Sequence, residues 1–292
     1  MTGQQERNWL HKYRRPRPFH ENVQNRRDMG KMINKEIYHN RHLPELSEEQ
    51  LISPYAPVYY RPVQDPPDEI LDALREKQLD RSQALGFDDL HKAFLPDSMP
   101  ADNGWCILED GTGYSTVRTC MPNVTLAMEK FWYGWFKNPE LDYLNYKIWM
   151  PGWHKSHAEP LIEDVGWGYM KIYTGGFTDE KILKLPDAPD KLDSSFMHAV
   201  VSSGISSPEE GEGEDLYNAL VKIYKRYGEG IQVQSFNYIG VKITDRGFEK
   251  VHDADPEMTR MFAWHNAYEC HRMAEILPLL YEISKHEERK TV

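Results

Sequence analysis

Near the end of the chain the apolar positions advance by threes and fours. Met258, Phe262, His265, Glu269, Met273 and Ile276 share one helical face, with two polar groups at its centre. The helix that this spacing predicts has a marked start: Asp255 as N-cap, Pro256 at the first helical position and Glu257 in the first turn. A shorter stripe of Ile70, Leu71 and Leu74 predicts a first helix, after the Pro-rich connectors Ser53–Pro57 and Asp65–Asp68. The strand-like runs Gly104–Glu109 and Tyr114–Cys120 flank the turn Asp110–Gly113 and predict a hairpin. Residues Val124–Phe136 read as a helix ending in the aromatic cluster Phe131–Phe136, whose simplest use is core packing. Further strand-like segments are Tyr146–Trp149, Tyr169–Tyr173, Met197–Val201 and Ile231–Val241. Between the last two, residues 206–230 hold an acidic loop, Glu209–Glu214, and an amphipathic stretch with Leu216, Leu220, Ile223 and Tyr224. This region reads as an insertion or lid. Strands first and one long helix last predict an α+β fold, a curved antiparallel sheet wrapped on the terminal helix.

Composition narrows the class. The 292 residues are 40% hydrophobic and 12% aromatic, which supports a packed core and excludes disorder, collagen and coiled coil for the chain as a whole. No apolar run approaches the roughly 18 residues that cross a bilayer. The opening segment Met1–Arg7 is polar, so a secretory signal is not expected. Three widely spaced cysteines, Cys106, Cys120 and Cys270, provide neither a disulfide framework nor an all-cysteine metal site. The expected location is the cytoplasm.

The net charge of −11 is split. Residues 1–42 carry ten Lys/Arg against four acids, which leaves −17 for the rest. The domain reading is a basic extension over 1–45 followed by a single domain over 46–286. The arm has few aromatics and no helix-turn-helix or finger pattern, and the acidic body repels phosphate, so nucleic acid is not an expected partner. The arm is expected to lie across its own body or a second subunit, as part of a homo-oligomer.

His265 and Glu269 stand one helical turn apart inside the apolar stripe. An unpaired buried carboxylate costs several kcal/mol and calls for a cation or a dense set of hydrogen bonds. Imidazole nitrogen and carboxylate oxygen at this spacing can close on one divalent ion, with further ligands from the sheet.

The stretch His265–Ala274, running on to Leu277–Pro278, resembles the terminal-helix motif of the 2,4-diacetylphloroglucinol hydrolase and phloretin hydrolase family. Glu109–Tyr114, the aromatic run to Trp135, Tyr146–Trp149 with Pro151 and His154, Ile162–Gly166 and Ser235–Gly240 resemble further family segments in the same order, over roughly residues 50–285. The resemblance implies a helix-grip (Bet v 1-like) domain enclosing a cavity. It also implies zinc-dependent hydrolysis of the carbon–carbon bond between an acyl group and a phloroglucinol-type ring, with one Zn2+ or another divalent ion per chain. The family's ligands are two His and two Glu. Glu163, His265 and Glu269 match three of them, and the fourth falls on Phe136, which cannot ligate. Either another side chain substitutes, with His154 and His157 the nearest candidates, or three protein groups and water hold the ion, or none is held. His198 matches a substrate-facing His and is the candidate acid, although a satisfied strand histidine is an equal reading. Tyr238, or Asn237 if the alignment shifts by one, matches a substrate-contacting position. Trp135 and Phe136 are expected to line the pocket for a flat aromatic or polyketide-like substrate.

Three functions follow from this pattern. The first is a metal-dependent hydrolase of acylated polyphenols or β-diketones. The second is an enzyme on the same fold performing cyclisation, isomerisation or lyase chemistry, and the third is a non-catalytic binder of hydrophobic aromatics.

Overall fold

The structure, a computed structural model, describes residues 43–75, 78–86, 89, 92–93, 103–136, 138–154, 169–174, 196–206, 216–244 and 247–290. The basic extension over residues 1–42, His157, Glu163 and the acidic loop Glu209–Glu214 lie outside these residues. In chain order the elements are the short helices α1 (Glu48–Leu51) and α2 (Ala56–Tyr59), α3 (Asp68–Arg75), strands β1 (Gly104–Ile107) and β2 (Gly113–Met121), helices α4 (Leu126–Phe136) and α5 (Leu144–Trp149), strands β3 (Tyr169–Thr174), β4 (Phe196–Ser206), β5 (Leu216–Tyr227), β6 (Gly230–Ile239), β7 (Val241–Thr244) and β8 (Gly247–Lys250), and helix α6 (Pro256–Lys290).

The strands β1 to β6 form one antiparallel sheet in the order β1-β2-β6-β5-β4-β3, while β7 and β8 make a separate two-stranded ribbon. Among the described residues the sheet does not close into a barrel. The architecture is therefore α+β, with an antiparallel sheet and a long terminal helix. No helix among the described residues is long and apolar enough to cross a membrane.

Local chemistry accounts for the ends of these elements. In the β1–β2 turn, Gly111 has φ +82°, a left-handed value that strains any residue with a Cβ, and the Asp110 carboxylate accepts from the Thr112 N–H at 2.9 Å. At the start of α6 the Asp255 carboxylate accepts from the Met258 N–H at 2.9 Å, the cap that the sequence predicts.

Two segments fold differently from their sequence pattern. Tyr146–Trp149 is the end of helix α5, not a strand. Its aromatic and β-branched residues favour a strand locally, but Leu144, Asn145, Ile148 and Trp149 fall one turn apart and are all buried. Asn145 also donates to the carbonyls of Trp135 and Phe136, groups that the end of α4 leaves without helical partners. The second half of the expected insertion is strand β5, hydrogen-bonded between β4 and β6. Residues 219–225 of β5 are buried on both faces, so the run is nearly continuous and the alternation that marks a half-exposed strand is lost.

Side chains alternate between two cores. Val117 of β2, Tyr224 of β5 and Ile231 and Val233 of β6 pack in the layer that includes α6. Tyr114, Val221, Ile223, Phe236 and Tyr238 pack on the opposite face. Helix α6 is covered on its other side by the segment from α2 to α3. The guanidinium of Arg272, wholly buried, donates to the carbonyls of Val58, Arg61 and Pro62 at 3.1 Å and to Glu275 at 3.0 Å. The Tyr268 hydroxyl donates to Asp65 at 2.6 Å. Covered on two sides, the helix buries Trp264, Tyr268 and Arg272 more deeply than Met258 and Phe262 of the expected stripe.

Arg272 therefore clamps the N-terminal segment to α6. Arg272→Met, which leaves those buried carbonyls unmatched, is expected to lower unfolding free energy by about 3 kcal/mol in denaturant titration. A loss below about 1 kcal/mol would show that the clamp is not structural.

Candidate metal centre

His265 and Glu269 project from the middle of α6, as their spacing requires. The third member of the site, His154, comes from the turn that follows α5. There the N–H groups of Trp153 and His154 donate to the Met150 carbonyl at 3.1 and 2.9 Å, and Gly152 takes φ +80°. Because residues 144–149 are helical, this turn folds His154 back towards α6. The indole N–H of Trp149 donates to the Glu269 carbonyl at 3.0 Å and ties α5 to the ligand-bearing turn of α6.

The three side chains converge on one point. His154 Nε2 lies 3.2 Å from Glu269 Oε1, His265 Nε2 lies 3.3 Å from the same oxygen, and the two nitrogens are 3.3 Å apart. A zinc-sized ion with ligand bonds of about 2.0–2.1 Å in a tetrahedron separates its ligand atoms by about 3.3–3.4 Å. The observed triangle thus has the dimensions of one tetrahedral face. Two imidazole nitrogens and a carboxylate oxygen also suit a divalent ion chemically. Among the described residues this is the one group with metal-ligand convergence.

The surroundings hold the donors in place. The His154 ring stacks on Tyr146 with centroids 3.9 Å apart and meets the Trp149 ring at 5.2 Å. Its Nδ1 lies 3.2 Å from the Tyr146 carbonyl. With the proton on Nδ1 donated to that carbonyl, Nε2 keeps its lone pair for the centre. Trp153 packs on the His265 ring at 4.9 Å. Burial lowers the pKa of His154 despite the opposing pull of Glu269, which favours the neutral, ligating form. For Glu269 burial pushes the pKa up, but the adjacent His265 and the hydrogen bonds to both imidazoles outweigh it. Its carboxyl is held well below the usual carboxylate range.

Phe136 packs against the same two rings that hold His154. It meets Trp149 at 5.2 Å and Tyr146 at 6.2 Å. Trp135 is one step removed, in a core with Tyr55, Phe131 and Trp132. Asn237 is buried on β6 beside Ser115 of β2, and its Oδ1 has no hydrogen-bond partner among the described residues. The structure does not bring Tyr238 to this group. It points to the opposite face of the sheet, where its hydroxyl donates to the Leu85 carbonyl at 2.9 Å. His198 occupies the β4 position opposite Tyr224. Sequence reasoning missed the framing role of Tyr146, Trp149 and Trp153, whose signal was the helical spacing hidden in a strand-like composition.

The model of the DAPG hydrolase PhiG domain matches residues 85–165. That match supports membership in the DAPG hydrolase and phloretin hydrolase family. The matched region holds Phe136, His154 and the rings between them, and the family domain points to a hydrolase acting on phloroglucinol-type substrates. No curated protein matches the chain.

Protons and a cation compete for the same donor atoms, so affinity must rise with pH. The depressed pKa of His154 removes its proton below the ordinary value of 6.5, and Glu269 is ionised lower still. Zinc affinity, measured by competition with a chromophoric chelator, is expected to change little from about pH 8 down to about 6.5 and to fall only at more acid pH, where protons displace the cation. A steep fall already between about pH 8 and 6.5 would contradict this donor set.

Proposed function

We propose that the protein is a metal-dependent hydrolase that cleaves the carbon–carbon bond between an acyl group and a phloroglucinol-type ring, built as a helix-grip domain around a substrate cavity. The carrying observation is the His154–His265–Glu269 triangle, with edges of 3.2–3.3 Å inside an otherwise aromatic enclosure. His154 takes the place that Phe136 vacates, and Glu163 completes the set. The bound ion is one zinc, or another divalent metal, per chain. When bound, such an ion supplies Lewis acidity, drawing the pKa of water towards about 7 and polarising the acyl carbonyl.

The chain's own residues do the rest. Tyr146, Trp149 and Phe136 keep the site dry and offer ring faces to a flat substrate. Asn237, whose buried amide oxygen has no hydrogen-bond partner among the described residues, accepts from a ring hydroxyl and orients the ring. This takes the role from Tyr238, whose hydroxyl is engaged elsewhere. In the overall reaction a water oxygen bonds to the acyl carbon, and the acyl–ring bond breaks with its electron pair passing to the ring. The ring carbon then gains a proton, for which His198 is the donor. Ortho hydroxyls on the ring spread the charge as an enolate.

Incubation with phloretin or an acylphloroglucinol is expected to release the carboxylic acid and the deacylated ring, both visible by chromatography. His265→Ala is expected to reduce the rate by at least about a hundredfold. Turnover that survives His265→Ala unchanged would refute the assignment, and no turnover by the zinc-loaded wild type would remove the hydrolase reading.

A further inference from the structure

Lys222 is unusual for a lysine. It sits in the middle of β5 with 6% relative exposure, hydrogen-bonded in the ladder between β4 and β6. Its Nζ lies 5.2 Å from the centroid of the Trp149 ring. Among the described residues that nitrogen makes no direct hydrogen bond or ion pair, and the nearest carboxylates of the layer, Glu129 and Glu269, act on it only through space. Most of the side chain is withdrawn from water and only its tip keeps solvent contact, so the cation–π contact offsets part of the cost of that burial. Simple packing would be better served by an apolar side chain.

Its position connects it to the candidate centre. The indole over which Nζ sits is the one that meets the His154 ring at 5.2 Å and donates to the Glu269 carbonyl. Lys222 pairs across the sheet with Ser235, whose hydroxyl is 3.5 Å from the thiol of Cys270, the neighbour of Glu269. On that side of the sheet, Ser115 Oγ, Asn237 Oδ1 and Asn266 Nδ2 are buried and lack hydrogen-bond partners among the described residues. A cation and several unsatisfied polar atoms thus occur in the same helix–sheet layer, one indole away from the three metal-ligand donors.

We propose that Lys222 forms an anion subsite that receives an ionised hydroxyl of the substrate's aromatic ring, a phenolate or enolate oxygen. The inference rests on the hydrolase reading for its substrate class, and it adds the group that holds the leaving ring's charge. An ammonium waiting beside an indole face is suited to a flat ring that carries negative charge on an oxygen. Such a group acts most strongly where charge develops, so its loss should lower kcat more than it raises KM.

A chromophoric phenol tests the subsite apart from hydrolysis. With para-nitrophenol as probe, the zinc-loaded full chain is expected to bind the phenolate in preference to the phenol, seen as an increase in the phenolate absorption band at a pH near the probe's own pKa. Lys222→Met is expected to weaken phenolate binding about tenfold while retaining the bound zinc, and Lys222→Arg to keep most of the preference. Absence of a phenolate shift in the wild type overturns the proposal, without reference to any variant. So does a shift that Lys222→Met preserves. If the phenolate preference depends on Lys222 but acylphloroglucinols are not cleaved, the subsite stands and the hydrolase reading falls. If cleavage occurs and Lys222→Met leaves both kcat and the phenolate preference unchanged, the reverse holds.

Discussion

Everything in this structure is arranged around a carboxylate that has been placed where carboxylates do not normally go. Glu269 sits in the centre of a helix covered on two sides, with 12% of its side chain exposed, and two imidazole nitrogens approach the same oxygen. Three electron-rich atoms within 3.2–3.3 Å of one another repel unless a proton or a metal cation lies among them. The enclosure is apolar, and the rings of Tyr146, Trp149 and Trp153 fix the imidazoles and exclude water. A cation held among the three donor atoms would act strongly, because its field would be poorly screened there.

The fold supplies the rigidity that such a centre needs. The sheet supports α6 from one side, and the segment from α2 to α3 supports it from the other through Arg272 and Tyr268. Helix α5 is short, yet the Trp149 bond to the Glu269 carbonyl and the Asn145 bonds to the end of α4 lock it in position. His154 thereby reaches α6 from a turn that has no regular structure of its own. Phe136 shows the same economy. The phenyl ring fills space beside Trp149 and Tyr146, and those rings in turn hold the imidazole of His154.

Much of this was legible in the sequence where the pattern was periodic and local. The α6 cap at Asp255, the β1–β2 hairpin and the helix ending at Phe136 appear as their residues predict. The pairing of His265 with Glu269 follows from a helical spacing of four, and His154 and His157 are the histidines that stand nearest in the chain to replace Phe136. What failed was composition without burial. Tyr146–Trp149 looks like a strand because its residues favour one, while tertiary contacts bury one helical face. Strand β5 looked like an appended segment because both of its faces are buried, so its pattern loses the alternation expected of a sheet. Tyr238 and Asn237 differ by one residue in sequence and by a whole sheet face in space, a distinction set by register.

If His154 stands in for the histidine that Phe136 replaces, two imidazoles bind one ion. X-ray absorption at the zinc edge, on the zinc-loaded wild type and on His154→Ala, tests it most directly. One zinc per chain with two imidazoles is expected in the wild-type spectrum, and a spectrum with one imidazole, together with weaker retention of the metal, in the variant. Identical spectra and equal zinc content in the two proteins would contradict it.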